Sequence, residues 1–175
     1  MAVHPPWTET AANAEVEAEP EERTPGPGRQ IVKAGGTTYE VPSTLEFIRV
    51  LGKGTYGAVS AFRNTETGEE VAVKKIPNPF RNLVDGKRCL REIKLLRLLE
   101  HECIIGLLDV LAPTSIIFNE VYLVTELMDA DLHTVICSDQ PLSEDHVQFF
   151  IYHILCALLY LHSANARLAG SYIYH

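Results

Sequence analysis

The sequence has no C-x-x-C pair, no histidine at zinc-finger spacing from a cysteine, and no surplus of positive charge. Fifteen Lys and Arg stand against 23 Asp and Glu, a net charge of −8, which excludes a nucleic-acid coat working by bulk cationic attraction. The four cysteines, Cys89, Cys103, Cys137 and Cys156, therefore read as small core residues in a reducing setting, and no metal site is expected. The N-terminus lacks the basic start and apolar segment of a secretory signal and is too acidic for a mitochondrial transit peptide. The longest nearly apolar stretch, Val147 to Leu161, is 15 residues interrupted by Gln148 and His153. That is short and polar for a bilayer, so a buried helix is expected and a membrane span is not.

What is present fits one domain with tails: 175 residues, 46% hydrophobic and 22% charged. Residues 1–30 hold five of the ten prolines and six acids against two bases, a composition that cannot bury enough apolar surface to order itself. A disordered acidic, proline-rich tail is expected over residues 1–38.

From Ser43 to Ile76 three β-rich segments follow one another, LEFIRVLG, AVSAFRN and EEVAVKKI, separated by GKGTYG and TETG. Short glycine-containing turns predict an antiparallel meander. Between Asp85 and Glu100, Cys89, Ile93 and Leu96 recur at helical spacing while Lys87, Arg91, Lys94 and Arg97 lie off that stripe, predicting an amphipathic helix. Ile104 to Leu111 and Val121 to Thr125 read as two more strands. A short helix is expected over Leu132 to Cys137. Ser143 is a plausible N-cap for a long helix ending near His162, with Glu144 and Asp145 at its positive end.

Gly52, Gly54 and Gly57 form G-x-G-x-x-G, and glycine lets backbone N–H groups approach phosphate oxygens unobstructed. Alone, the triplet is equally a glycine-rich hairpin turn. A dinucleotide fold would need a helix after the loop, but AVSAFRN is β-like. In VAVK, alternation puts Ala72 and Lys74 on one face and Val71 and Val73 on the other. A buried ammonium needs a counter-ion. Glu92, bordering the inward stripe of the helix, is one candidate, but on the residues alone it reads rather as a rim residue paired with Arg88 or Lys94. Lys75, the adjacent-register alternative to Lys74, points away from Ala72.

In this order the stretches LGKGTYGAV, EEVAVKKI, RCLREIKLLRLLEHECIIGLLDV, VYLVTELMDADLH and LSEDHVQFFIYHILCALLYLHSAN resemble a eukaryotic protein kinase, and specifically the mitogen-activated protein kinases, from about Tyr39 to Asn165. The resemblance implies an α+β, protein-kinase-like fold: a five-stranded antiparallel sheet lobe with one helix of the αC type, then the first helices of a truncated helical lobe. It divides the chain into a tail (1–38), the sheet lobe (39–127), the hinge with the start of the helical lobe (128–165), and an unmatched end (166–175). It implies ATP as ligand, with Lys74 on the α- and β-phosphates and Glu92 beside it. The loop residues Gly52, Lys53, Gly54, Thr55, Tyr56, Gly57 and Ala58 would lie over the phosphates. Leu51, Val59 and Ala72 would wall the base. Thr125 would be the gatekeeper, Glu126 and Met128 would offer main-chain groups to adenine, and Asp131 would reach a ribose hydroxyl.

After Asn165 the family's H-R-D-L-K-P-x-N should follow, but the sequence reads ARLAGSYIYH, and neither D-F-G nor A-P-E occurs. Magnesium is a family expectation whose ligands these residues do not supply. Two functions compete. One is the ATP-binding portion of a serine/threonine kinase, inactive alone. The other is an inactive isoform acting as an interaction module, or an unproductive fragment. Protein substrates and an upstream kinase are implied partners, and a cytoplasmic, possibly nuclear, location is implied. A monomer or an aggregating chain is expected, with Phe149, Phe150, Ile154, Leu158 and Leu161 exposed.

Overall fold

The computed structural model describes residues 24–54 and 57–164. Ten elements follow in chain order: β1 (Arg29–Ala34), β2 (Thr37–Pro42), β3 (Leu45–Gly54), β4 (Gly57–Asn64), β5 (Glu70–Pro77), α1 (Leu83–Leu98), β6 (Leu107–Leu111), β7 (Glu120–Glu126), α2 (Leu132–Ile136) and α3 (Glu144–Ser163). Strands β3 to β7 form one antiparallel sheet in the order β3-β4-β5-β7-β6; the meander β3-β4-β5 is the one the pattern predicts, and β7 rather than β6 pairs with β5.

The expected tail over residues 1–38 is corrected by the hairpin β1–β2, while residues 1–23 lie outside the described residues. Its turn is Gly35-Gly36, both at positive φ, the backbone that a tight hairpin turn requires. The alternation in TTYEVP then buries Tyr39 and Val41 completely. Proline-rich composition upstream masked a short strand pair that is stable only on the sheet.

The sheet has two covered faces. Against β1–β2 lie Phe62, Val71, Val73, Tyr122 and Val124, with Tyr39 edge-on to Phe62 at 5.7 Å. Ser60, fully buried, donates its hydroxyl to Tyr39 Oη at 3.0 Å, so neither polar atom is stranded in the core. On the opposite face, Ile76, Val121 and Leu123 pack on Cys89 and Leu96 of α1, with Ile93 partly buried beside them. Helix α1 starts at Asn82, whose side chain accepts from the Asp85 N–H at 2.9 Å.

Ser143 caps α3, and a reciprocal bond from the Ser143 N–H to His146 Nδ1 completes a capping box. The five residues expected to be exposed on α3 divide: Phe149 is exposed, Phe150, Ile154 and Leu158 are half-buried, and Leu161 is buried. Leu161 and Ala157 seat the end of α3 on Leu99, Cys103 and Ile104, contacts invisible to local periodicity. The helix instead exposes Ile151, Tyr152, Leu155 and Leu159. At 20 residues α3 is long and apolar enough, by length and composition, to cross a membrane. The 15-residue stretch read from sequence omitted its first turn. Of the cysteines, Cys89 and Cys103 are buried and Cys156 half-buried, whereas Cys137 is exposed at the end of α2, contrary to the core reading. Helix α2 is too short to bury both its faces.

Candidate functional site

Pairing register places the site residues on one face. Residues directly opposite each other in an antiparallel ladder share a face. Val59, Lys74 and Leu123 form one cross-strand row, and Ala61, Ala72 and Thr125 form the next. Gly52 pairs with Val59, so the β3–β4 turn lies at the end of the row that contains Lys74. The small side chain of Ala72 beside Lys74 leaves room next to the ammonium.

Lys74 Nζ donates to Glu92 Oε1 at 2.6 Å, joining β5 to α1. The Glu92 side chain is 11% exposed and that of Lys74 31%, so the carboxylate is held largely inside while the ammonium keeps an open side. Cys89, one helical turn from Glu92, reports the same dry environment. Burial raises its thiol pKa, the Glu92 carboxylate raises it further, and Lys74 opposes.

Next along β5, Lys75 points the other way. It is buried, and its Nζ donates to Glu120 Oε1 at 2.8 Å and to the Thr38 carbonyl of the hairpin. Tyr122 Oη donates to Glu120 Oε2 at 2.6 Å and accepts from the Glu40 N–H at 3.0 Å. Desolvation, then the hydrogen bond to Glu120, pushes the Tyr122 hydroxyl well above the ordinary phenol range. The two adjacent lysines thus serve opposite faces, each with its own carboxylate.

The glycines of the β3–β4 turn differ in kind. A Cβ at Gly52 or Gly54 would meet nothing within 4 Å, so both backbones border open space. Gly57, at φ +142, would place a Cβ 2.1 Å from the Lys75 carbonyl oxygen, so only glycine fits this close approach to β5. Thr55 and Tyr56 lie outside the described residues. Two side chains of this loop turn away from Lys74. The Ala58 side chain is buried among the core residues facing β1–β2, and Lys53, paired with Ala58, shares that face, its Nζ approaching Gly36. Alternation next to Val59 turns the Ala58 side chain away from Lys74, and cross-strand pairing with Ala58 does the same for Lys53.

Leu51, Val59 and Thr125 are half-buried, and Ala72 is buried. Thr125 Oγ1 donates to the Glu126 carbonyl at 3.3 Å, and the Glu126 N–H donates to the Gly106 carbonyl. Both main-chain groups of Glu126 are therefore already engaged. Met128 is half-buried just beyond β7. Asp131 is exposed and caps α2, accepting from the Thr134 N–H at 2.7 Å, a role the sequence reading missed although Asp before a helix is a standard cap signal. Hydrogen bonds from the Thr134 side chain and N–H lower its carboxyl below the ordinary value of 3.8.

An antiparallel five-stranded sheet, one helix fastened to it by a lysine–glutamate pair, and a long helix beyond the last strand define the sheet lobe of a protein kinase with the start of its helical lobe. The family model for the protein kinase domain matches residues 45–168, and the chain belongs to that family. Its relatives are mitogen-activated protein kinases. Mitogen-activated protein kinase 4a of Physcomitrium patens is 51% identical over 146 residues, 81% of this chain and 39% of that protein. Mitogen-activated protein kinase 6 of Oryza sativa subsp. japonica is 56% identical over 132 residues, 74% of this chain and 35% of that protein. Extracellular signal-regulated kinase 1 of Dictyostelium discoideum is 49% identical over 131 residues, 74% of this chain and 25% of that protein. The chain thus spans between a quarter and two fifths of the length of these relatives.

Proposed function

We propose that this chain is the ATP-binding portion of a mitogen-activated serine/threonine protein kinase. The Lys74–Glu92 pair carries the reading: an ammonium fixed from behind by a carboxylate, with its other side open on the face that ends at Gly52. The N–H groups bordering Gly52 and Gly54 can approach phosphate oxygens because no side chain intervenes. Lys74 would neutralise charge on the α- and β-phosphates, and Glu92 would hold it in place. Val59 and Ala72 would lie against the base, Thr125 would limit the depth behind it, and Met128 would supply main-chain groups at its edge. With Oδ1 engaged in the cap, Asp131 would offer a ribose hydroxyl only Oδ2.

ATP bound here supplies the transferable phosphoryl group, but transfer also needs an aspartate at the attacking hydroxyl and carboxylate and amide ligands for magnesium. Among the described residues no group of three His, Cys, Asp or Glu side chains could hold a metal. Because H-R-D, D-F-G and A-P-E do not occur in these 175 residues, we infer that they bind nucleotide without transferring phosphate. Protein substrates, an upstream kinase and a cytoplasmic or nuclear location belong to the same proposal.

The test is thermal unfolding with ATP and magnesium, on the chain and on Lys74→Met. Ligand linkage raises the transition of the unmodified chain by an amount that grows with ATP, and the variant does not respond. An unresponsive parent chain, or equal responses from both, would overturn the reading.

A further inference from the structure

Helix α1 has a second face that the Lys74–Glu92 pair does not use. Lys87, Arg91 and Lys94 fall at i, i+4 and i+7, so they share one outward stripe. All three are exposed, and among the described residues none makes an ion pair. Interleaved with them, Leu83, Leu90 and Leu98 are 73%, 53% and 77% exposed. An outward helix face normally carries polar residues in both signs. This one is cationic and apolar, on a chain of net charge −8.

The complementary composition is in the chain itself. Residues 9–22 contain six glutamates and no basic residue, with Val16 and four alanines between them. The point from which this segment departs is fixed: Gly26 abuts Thr114, and Arg29 donates to the Ala112 carbonyl, so the chain enters the fold beside the β6–β7 loop. Phe118 at the far end of that loop stacks edge-on with Phe80, 5.4 Å away and just before α1. Fifteen residues back from Thr24 reach up to roughly 50 Å when extended, against about 24 Å for the length of α1. Tethering adds an effective concentration in the millimolar range, which a free acidic peptide lacks.

We propose that the outer stripe of α1 receives the acidic residues 9–22 of the same chain. Glutamates would neutralise Lys87, Arg91 and Lys94, and the small apolar residues between them would cover the leucines. The proposal is independent of nucleotide binding. It is an electrostatic contact, so it weakens as salt shortens the screening length from ~30 Å at ~0.01 M to ~3 Å at ~1 M.

Two measurements on the full chain test it. Zero-length carbodiimide coupling of carboxylates to amines, on an equal mixture of unlabelled and nitrogen-15-labelled chains, separates links within a chain from links between chains. Links from residues 9–22 to Lys87 and Lys94 within one chain are expected to exceed those to Lys33 and Lys53 several-fold at low salt. Lys33 and Lys53 are exposed and closer in sequence, so mere proximity along the chain would favour them. The second reporter is Trp7, the chain's one tryptophan. Its fluorescence anisotropy should fall with salt in the parent chain and be low throughout in the variant Lys87→Gln/Arg91→Gln/Lys94→Gln. Links as abundant to Lys33 and Lys53, or a salt-independent Trp7 signal in the parent chain, would overturn the proposal. So would links mainly between chains, which would make the stripe a site for an acidic segment in trans.

Discussion

Replacing Lys74 by methionine removes the ammonium and leaves the Glu92 carboxylate, 11% exposed, without its counter-ion. At 2.6 Å the bare attraction is on the order of 6 kcal/mol for an effective dielectric constant of about 20. Most of that is offset by taking both groups out of water, and the 31% exposure of Lys74 adds solvent screening. What remains is the cost of stranding one partner, which is asymmetric. The more buried carboxylate cannot recover its hydration, whereas an unpaired Lys74 can. We expect Lys74→Met to destabilise by about 2 kcal/mol, below the 3 to 5 kcal/mol of a fully buried pair, and Glu92→Leu by about 1 kcal/mol. The double variant, apolar on both sides, should cost no more than the worse single change, giving a coupling of at least about 1 kcal/mol. Urea titrations followed by circular dichroism measure all four corners of the cycle. Additive single effects, or a larger loss from Glu92→Leu, would refute the account of the pair as a dry, lysine-satisfied carboxylate. ATP-induced stabilisation should vanish in Lys74→Met and weaken in Glu92→Leu, because the ammonium is then free to swing.

Gly57→Ala would force a Cβ against the Lys75 carbonyl at a φ that L residues rarely adopt; a loss of about 1 to 3 kcal/mol in thermal or urea unfolding is expected, and a neutral result would contradict the close approach. Tyr122→Phe leaves Glu120 one hydrogen bond short and the Glu40 N–H without its acceptor, so about 1 to 2 kcal/mol should be lost, together with faster amide exchange in β1 and β2. Asp85 and Asp131 have carboxyls held below 3.8, the first chiefly by a hydrogen bond from Arg81 and the second chiefly by one from Thr134. Their contribution is complete above that value and is lost as pH falls through the lower folded values, so helical ellipticity should decline only in that acid range and less in Asp131→Asn. Leu155→Lys/Leu159→Lys on the exposed side of α3 should leave the unfolding transition in place while reducing self-association, measured by light scattering; unchanged scattering would count against this face as the source.

Much of this organisation was legible in the order of residues. Glycine turns and β-branched runs predicted β3, β4 and β5 as a meander, and helical spacing predicted α1 within two residues at either end. Ser143 announced α3. The first hairpin was missed, although IVK and TYEV flank a Gly-Gly pair, because neighbouring prolines and glutamates weighted the segment towards disorder. At the site, the turning away of Lys75 followed from alternation, whereas the pairing of Lys74 with Glu92 followed from the family resemblance, the residues alone favouring a rim role for Glu92. Lys53 and Ala58 belong to the glycine motif through their backbone; the Ala58 side chain alternates away from that of Val59, and only the cross-strand register shows that Lys53 shares the face of Ala58.

The sequence by itself determined the kind and succession of elements and which side of each strand a residue occupies, because spacings of 2 and 3.6 residues are properties of the local backbone. It could not determine what fills each side. That Glu120 and the Thr38 carbonyl answer Lys75, that β1–β2 closes one face of the sheet, and that Leu161 is buried while Leu159 is exposed all depend on segments distant along the chain. Such contacts arise only when those segments dock, since burial and charge pairing are settled between elements and not within them.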